Sequence, residues 1–178
     1  MDQTVCDFLT PLCEKYNTLY DTNIKLEDIT NWDLSCCMDF PKARQIYNTE
    51  GFFINLKPYP NAVEVLQKLN EKHNIVIATK PETKTVAFEK YTWIEKNLPF
   101  IKFDNITMTN YKYTMDFDIL IDDNIEYLKA FKGIRICYDQ IFNREYKCDY
   151  RVRGWENVEW TIKFIDDYFK MVSEQSSK

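Results

Sequence analysis

Apolar and polar positions along this chain fall into blocks whose period changes. Residues 1–5 read as the tail of a strand. From about Cys6 to Tyr20, Phe8, Leu12, Tyr16 and Leu19 recur every three or four positions, the spacing of one helix face. The stretch to about Phe53 is polar and aromatic, holds Asn31-Trp32-Asp33, and predicts one short helix after Pro41 but no strand. Residues 15–55 therefore read as a small, mainly helical insert in a core made of 1–14 and 56–178.

After Pro58 and Pro60 the pattern becomes regular. Asn61 is placed to cap a helix with Ala62, Val63, Val65, Leu66 and Leu69 on one face. Ile75-Val76-Ile77-Ala78 is a compact apolar strand ending at Thr79. Pro81 predicts the opening of a helix that carries Val86, Phe88, Trp93 and Ile94 and stops near Pro99. Short strands follow at Ile106-Thr107-Met108-Thr109, Asp118 to Ile121 and Ile134 to Tyr138, with a helix from Asn124 to Lys132 between the last two. Trp155, Val158, Ile162, Ile165 and Phe169 mark a long final helix, and Ser173 to Lys178 read as a frayed tail. Strands alternating with helices predict an α/β fold, a Rossmann-like parallel sheet with helices on both faces.

Composition narrows the function classes. With 178 residues, 45% of them hydrophobic, the chain has enough apolar surface for one domain with an insert. A net charge of -5 argues against binding duplex nucleic acid, which needs a basic surface. The three glycines, Gly51, Gly133 and Gly154, are far apart, which excludes a P-loop or a dinucleotide fingerprint. Six irregularly spaced cysteines and a single histidine, His73, argue against structural zinc and for reduced thiols in a cytoplasmic setting. No apolar stretch reaches the length needed to span a bilayer.

The informative chemistry is acidic. Asp122 and Asp123 end the apolar run that begins at Phe117, and two carboxylates at the end of a buried strand call for a positive partner. A hard cation such as magnesium, arriving with a phosphate, suits them. The bland alternative is a helix N-cap followed by a solvated acid. Ligands of open parallel sheets gather at the carboxyl ends of the strands, where Thr79, Asp122 and, if residues 1–5 end a strand, Asp2 fall. Lys112 lies on the loop leading to Asp122. Taken singly, Thr79 is a strand-end hydroxyl and Lys112 a surface lysine. Together they form a phosphoryl-transfer set: a carboxylate that protonates a leaving alcohol, and a hydroxyl and an ammonium that hold phosphate oxygens.

In this order the residues resemble the haloacid dehalogenase superfamily, marked by Asp-x-Asp-x-Thr, a Thr or Ser, a Lys and an acid pair. Asp2-Gln3-Thr4 matches the later part of the first motif, Thr79 the second, Lys112 the third and Asp122-Asp123 the fourth. Phe52 to Val63, Lys90 to Lys96, Asp118 to Asp123 and Arg153-Gly154-Trp155 further resemble the 5′(3′)-deoxyribonucleotidases, and the likeness spans nearly the whole chain. The resemblance implies magnesium-dependent removal of phosphate from (deoxy)nucleoside monophosphates through an aspartyl-phosphate. It implies a helical cap over 15–55 and a small-molecule nucleotide partner; the oligomeric state is left open, a homodimer being one option. It assigns Asp2 as general acid/base, Asp2, Asp122 and Asp123 as metal ligands, and Phe8, Trp32, Tyr47, Thr79, Lys80 and Lys112 as substrate contacts.

One departure stands at the start. The nucleophile of these proteins lies two positions before the general acid, which here is one residue before Met1. The expectation is that the first strand and its nucleophile belong upstream of residue 1, and that the chain as written has little phosphatase activity. A phosphate- or nucleotide-binding module of the same fold without catalysis is the alternative.

Overall fold

In the computed structural model, which describes residues 1–176, six α-helices surround short parallel strands. Strand β1 (Cys6–Asp7) pairs antiparallel with β2 (Lys57–Pro58). Helix α1 (Leu9–Tyr20) follows β1, and α2 (Phe40–Tyr47) follows a long connection with a single 3-10 turn at Leu26–Asp28. Between β2 and the next strand lies α3 (Ala62–Asn70), which buries Ala62, Val65, Leu66 and Leu69, as its spacing predicts.

Strand β3 (Ile77–Thr79) pairs in parallel with β4 (Ile106–Met108), and α4 (Lys84–Asn97) connects them. Strand β5 (Ile119–Asp122) pairs in parallel with β6 (Ile134–Tyr138) across α5 (Ile125–Ala130), and β6 pairs in parallel with β7 (Tyr150–Val152). Helix α6 (Trp155–Ser176) packs back against α3 and β7. The parallel strands thus form two separate groups, β3-β4 and β5-β6-β7. Gly133 lets β6 start close beside β5, since a Cβ there would stand 2.5 Å from the Asp118 carbonyl oxygen.

The parallel α/β architecture agrees with the sequence, and several details differ. Residues 3–5 form a turn rather than a strand tail, with Gln3 at positive φ and Asp2 in a lone bridge to Cys6. Asn61 adopts a left-handed conformation and makes no capping bond; its amide donates to Glu156 instead. The helix expected at Pro81 begins at Lys84, because the Thr83 hydroxyl accepts from the Val86 amide. Strand β7 was not expected: Tyr150-Arg151-Val152 is too short to carry a pattern. The final helix persists through Ser176, and the last two residues of the expected frayed tail lie outside the described residues.

The main core joins α1, α3, α4 and α6, and two indoles anchor it to backbone. Trp93 donates to the Leu56 carbonyl at 2.7 Å and Trp155 to the Thr4 carbonyl at 2.9 Å. Each bond satisfies a buried polar group on a large apolar side chain. The second pins the segment carrying Asp2 to the start of α6.

Candidate active site

The site lies at the carboxyl ends of β3 and β5. Thr79 ends β3, Asp122 ends β5, and a short 3-10 turn (Lys112–Thr114) swings Lys112 against Asp122. The Lys112 ammonium meets Asp122 Oδ2 at 2.6 Å, with both side chains nearly sealed from solvent. It also lies 4.7 Å from the Tyr127 ring centre. Burial alone would lower the Lys112 pKa, but the facing Asp122 carboxylate outweighs it and holds the group above its ordinary value. Asp122 Oδ1 accepts from the Asn124 amide, and Asn124 in turn caps α5.

Asp2 is gripped by a lysine to which the sequence assigns no role. Lys90, on α4 and only 2% exposed, places its ammonium 2.5 Å from Asp2 Oδ2. The same ammonium donates to the Thr79 hydroxyl at 3.2 Å and the Lys80 carbonyl at 3.1 Å, and lies over the Phe53 ring. Burial works against ionisation of Asp2, yet the Lys90 charge prevails and keeps its carboxyl below the usual value. One cation therefore ties the first acidic residue to the end of β3.

Asp123 is different. Its carboxylate accepts from the Thr4 hydroxyl at 2.9 Å, and the buried Asn143 amide donates to its backbone carbonyl. Burial first, and the neighbouring Asp122 charge second, push its carboxyl up to about 7. Two adjacent buried carboxylates with a single lysine ammonium bonded to them suit a hard divalent cation. Among the described residues no three His, Cys, Asp or Glu side chains are gathered to hold a metal by themselves. Magnesium commonly takes only one or two carboxylates and completes its shell with phosphate and water, so the donor chemistry fits.

Four of the expected residues, Asp2, Thr79, Lys112 and Asp122, stand in direct bonds that link separate chain segments, and Asp123 adjoins them. Phe8 is half-buried in a ring cluster with Tyr47, Phe52 and Phe53 at centroid distances of 5.6 to 5.8 Å. Tyr47 is buried, and its hydroxyl donates to Glu82. Trp32 is 53% exposed, outside that cluster. The Lys80 side chain is exposed, and only its carbonyl meets Lys90.

The segment between α2 and β2 is tied to α4 and to the loop before it by two glutamates. Buried Glu89 accepts from the amides of Gly51, Phe53 and Ile54. Glu82 accepts from Arg44, Tyr47 and Asn48. Sequence reasoning assigned a role to neither of these nor to Lys90. The signal was present in α4, where Glu89 and Lys90 fall on the same face as Val86, Trp93 and Ile94, so charged residues occupy buried helical positions.

Known proteins resemble this chain over most of its length. A family model described as 5′ nucleotidase, deoxy (pyrimidine), cytosolic type C protein matches residues 1–166. A 5′(3′)-deoxyribonucleotidase of Clostridium acetobutylicum is 31% identical over 158 residues, covering 87% of each chain. One of Bacillus subtilis is 28% identical over 160 residues, covering 89% of this chain and 93% of its own. Among solved structures, a haloacid dehalogenase-like protein of Burkholderia xenovorans superposes with a TM-score of 0.56, covering 89% of this chain and 91% of its own. At 14% identity that likeness speaks to the fold alone. Among the described residues no helix is long and apolar enough to cross a membrane.

Proposed function

The chain belongs to the cytosolic type C 5′ nucleotidase family within the haloacid dehalogenase-like hydrolases, and from that premise we propose that it serves magnesium-dependent removal of phosphate from nucleoside monophosphates, deoxyribonucleotides above all. The reading is supported chiefly by one observation: the Lys90 ammonium bonds Asp2 and Thr79 together at the rim where Lys112 meets Asp122.

In this reading Thr79, Lys90 and Lys112 hold the non-bridging phosphate oxygens through charge-assisted hydrogen bonds. Asp2 sits at the leaving-group side. Substrate phosphate that takes up the Lys90 ammonium frees Asp2 from the pairing that keeps it ionised, so that Asp2 can carry a proton; as an attacking carboxylate forms its bond to phosphorus and the ester P–O bond breaks, Asp2 gives that proton to the departing sugar oxygen. Asp2 then takes a proton from the water that cleaves the acyl phosphate, and free phosphate leaves. The family's chemistry takes its attacking carboxylate from two positions before the general acid, a position these 178 residues do not include. Asp122 and Asp123 would hold magnesium, which when bound would offset the repulsion between phosphate dianion and carboxylates, while the Asp2 carboxylate, paired with Lys90, is left out of that set. Phe8 and its ring cluster offer a face for the base, and stacking there gives affinity with little base selectivity.

The test compares two proteins with magnesium and dUMP or dTMP: the 178-residue chain, and the chain preceded in frame by an apolar strand ending in Asp. The reading expects phosphate release from the extended protein, at least a hundredfold above the shorter one. A folded extended protein that is stabilised thermally by nucleotide but releases no phosphate would replace it with a binding module.

A further inference from the structure

One fully buried polar side chain takes no part in the chemistry at the rim. Asn143 is 1% exposed and ends a short 3-10 turn (Ile141–Asn143) in the loop after β6. A buried carboxamide is costly unless its hydrogen-bonding capacity is met. Here every bond is made. Asn143 Nδ2 donates to the carbonyls of Asp123 and Tyr138, each at 2.9 Å. Its Oδ1 accepts from the Gln140 amide at 3.0 Å and from Arg151 Nη1 at 2.9 Å. Acceptors on one side and donors on the other leave a single orientation for the amide. They also exclude aspartate, which would set an oxygen against two carbonyls.

The place of the Asp123 bond gives it weight. The Asp123 carbonyl shares one planar peptide unit with the Asn124 amide, and that amide donates to Asp122 Oδ1 at 2.9 Å. A single peptide plane is therefore held at both ends, by Asn143 on one side and by the Asp122 carboxylate on the other. Lys112 holds the second oxygen of the same carboxylate. Turning the plane would move the Asp122 bond and the backbone from which the Asp123 side chain leaves. Asn143 is itself fixed from behind. Arg151, on β7, bonds Asp139 as well as Asn143 Oδ1 through Nη1, and the carbonyls of Asn143 and Tyr146 through Nη2 at 2.9 and 2.6 Å. The Asp139 side chain is 5% exposed, so this pairing is sheltered from water. Only a planar fork can make these bonds at once; a lysine ammonium cannot.

We propose that Asn143 is a positioning residue for the Asp122-Asp123 pair, and that Arg151 acts through Asn143 to fix it. The two carboxylates are then set in place before a cation arrives, which lowers the cost of binding it. The role toward magnesium rests on the nucleotidase reading, whereas the hold on the 123–124 peptide does not.

The experiment titrates magnesium chloride into the 178-residue protein and three variants by calorimetry, and follows the Asn124 amide by hydrogen exchange in NMR spectra. Asn143→Leu keeps the side-chain shape and loses every bond. It should bind magnesium about tenfold more weakly and exchange the Asn124 amide faster. Arg151→Lys keeps the charge without the fork. It should weaken magnesium binding in the same direction by a smaller factor, and it carries the test if Asn143→Leu does not fold. Val158→Ala, on the buried face of α6, lowers stability through packing alone and should leave magnesium affinity unchanged. Wild-type affinity in both Asn143→Leu and Arg151→Lys, or an equal loss in Val158→Ala, overturns the proposal. If the unaltered protein binds no magnesium, the nucleotidase reading falls and the Asn124 amide decides alone. Faster exchange in Asn143→Leu then keeps the positioning role, and unchanged exchange removes it.

Discussion

Two ion pairs in this molecule use the same chemistry in opposite settings. At the rim, Lys112 and Asp122 meet at 2.6 Å with side-chain exposures of 8% and 4%. Between α2 and the loop before α4, Arg44 and Glu82 meet at 2.8 Å with exposures of 55% and 26%. The distances are nearly equal, but the surroundings are not. A charge pair in a low-dielectric interior has lost its water and depends on its partner, whereas an exposed pair trades one set of good contacts for another. The rim is therefore rigid and intolerant. The contact between α2 and the loop before α4 can break and re-form at little cost.

Breaking the comparison at its strong end has the largest effect. Lys112→Met strands the buried Asp122 carboxylate and should cost about 3–5 kcal/mol of folding stability, read as a lower urea midpoint. Adding Asp122→Leu to that variant should recover part of the loss; a double variant as unstable as the single one would mean that the pair is not the cause. Next comes Glu89→Ala, which orphans the three amides of Gly51, Phe53 and Ile54. It should cost about 2–3 kcal/mol and raise hydrogen exchange first in residues 49–56.

The effect of pH has a definite sign. Asp123 binds its proton more tightly in the folded state, near 7 against 3.8 unfolded. Its contribution is therefore most favourable at low pH, and stability falls as pH rises from about 4 through 7. A cation that needs the ionised form should reverse this, so the magnesium-induced rise in thermal midpoint should grow between pH 5.5 and 8. A magnesium shift that does not change with pH would argue against Asp123 as a ligand. The smallest effect belongs to Arg44→Ala. It should leave the unfolding midpoint unchanged while speeding hydrogen exchange in α2, and a large fall in stability would erase the contrast drawn above.

The order of elements was legible because apolar period is a local property. The 3.6-residue stripe of α3 and α6 and the apolar runs of β5 and β6 identify themselves within a few residues. So were Thr79, Lys112 and the Asp122-Asp123 pair, because strand ends and acidic pairs are visible in one dimension. Lys90 was not assigned a role, because nothing nearby in sequence says that its ammonium faces Asp2, 88 residues away. The Thr4–Asp123 bond, across 119 residues, was equally hidden. Residues 3–5 were misread as strand because a turn with Gln3 at positive φ leaves no apolar signature.

By itself, then, the sequence determined an alternating α/β chain, the segments that bury themselves, and which acidic, hydroxyl and amine groups stand at strand ends. Only the tertiary structure decided which ammonium meets which carboxylate, that the Asp123 carboxyl is pushed up to about 7 while Lys90 holds that of Asp2 low, and that β3-β4 and β5-β6-β7 form separate groups. The physical reason is range. Hydrophobic period acts between neighbours along the chain, whereas desolvation, ion pairing and sheet closure depend on groups that only folding brings together.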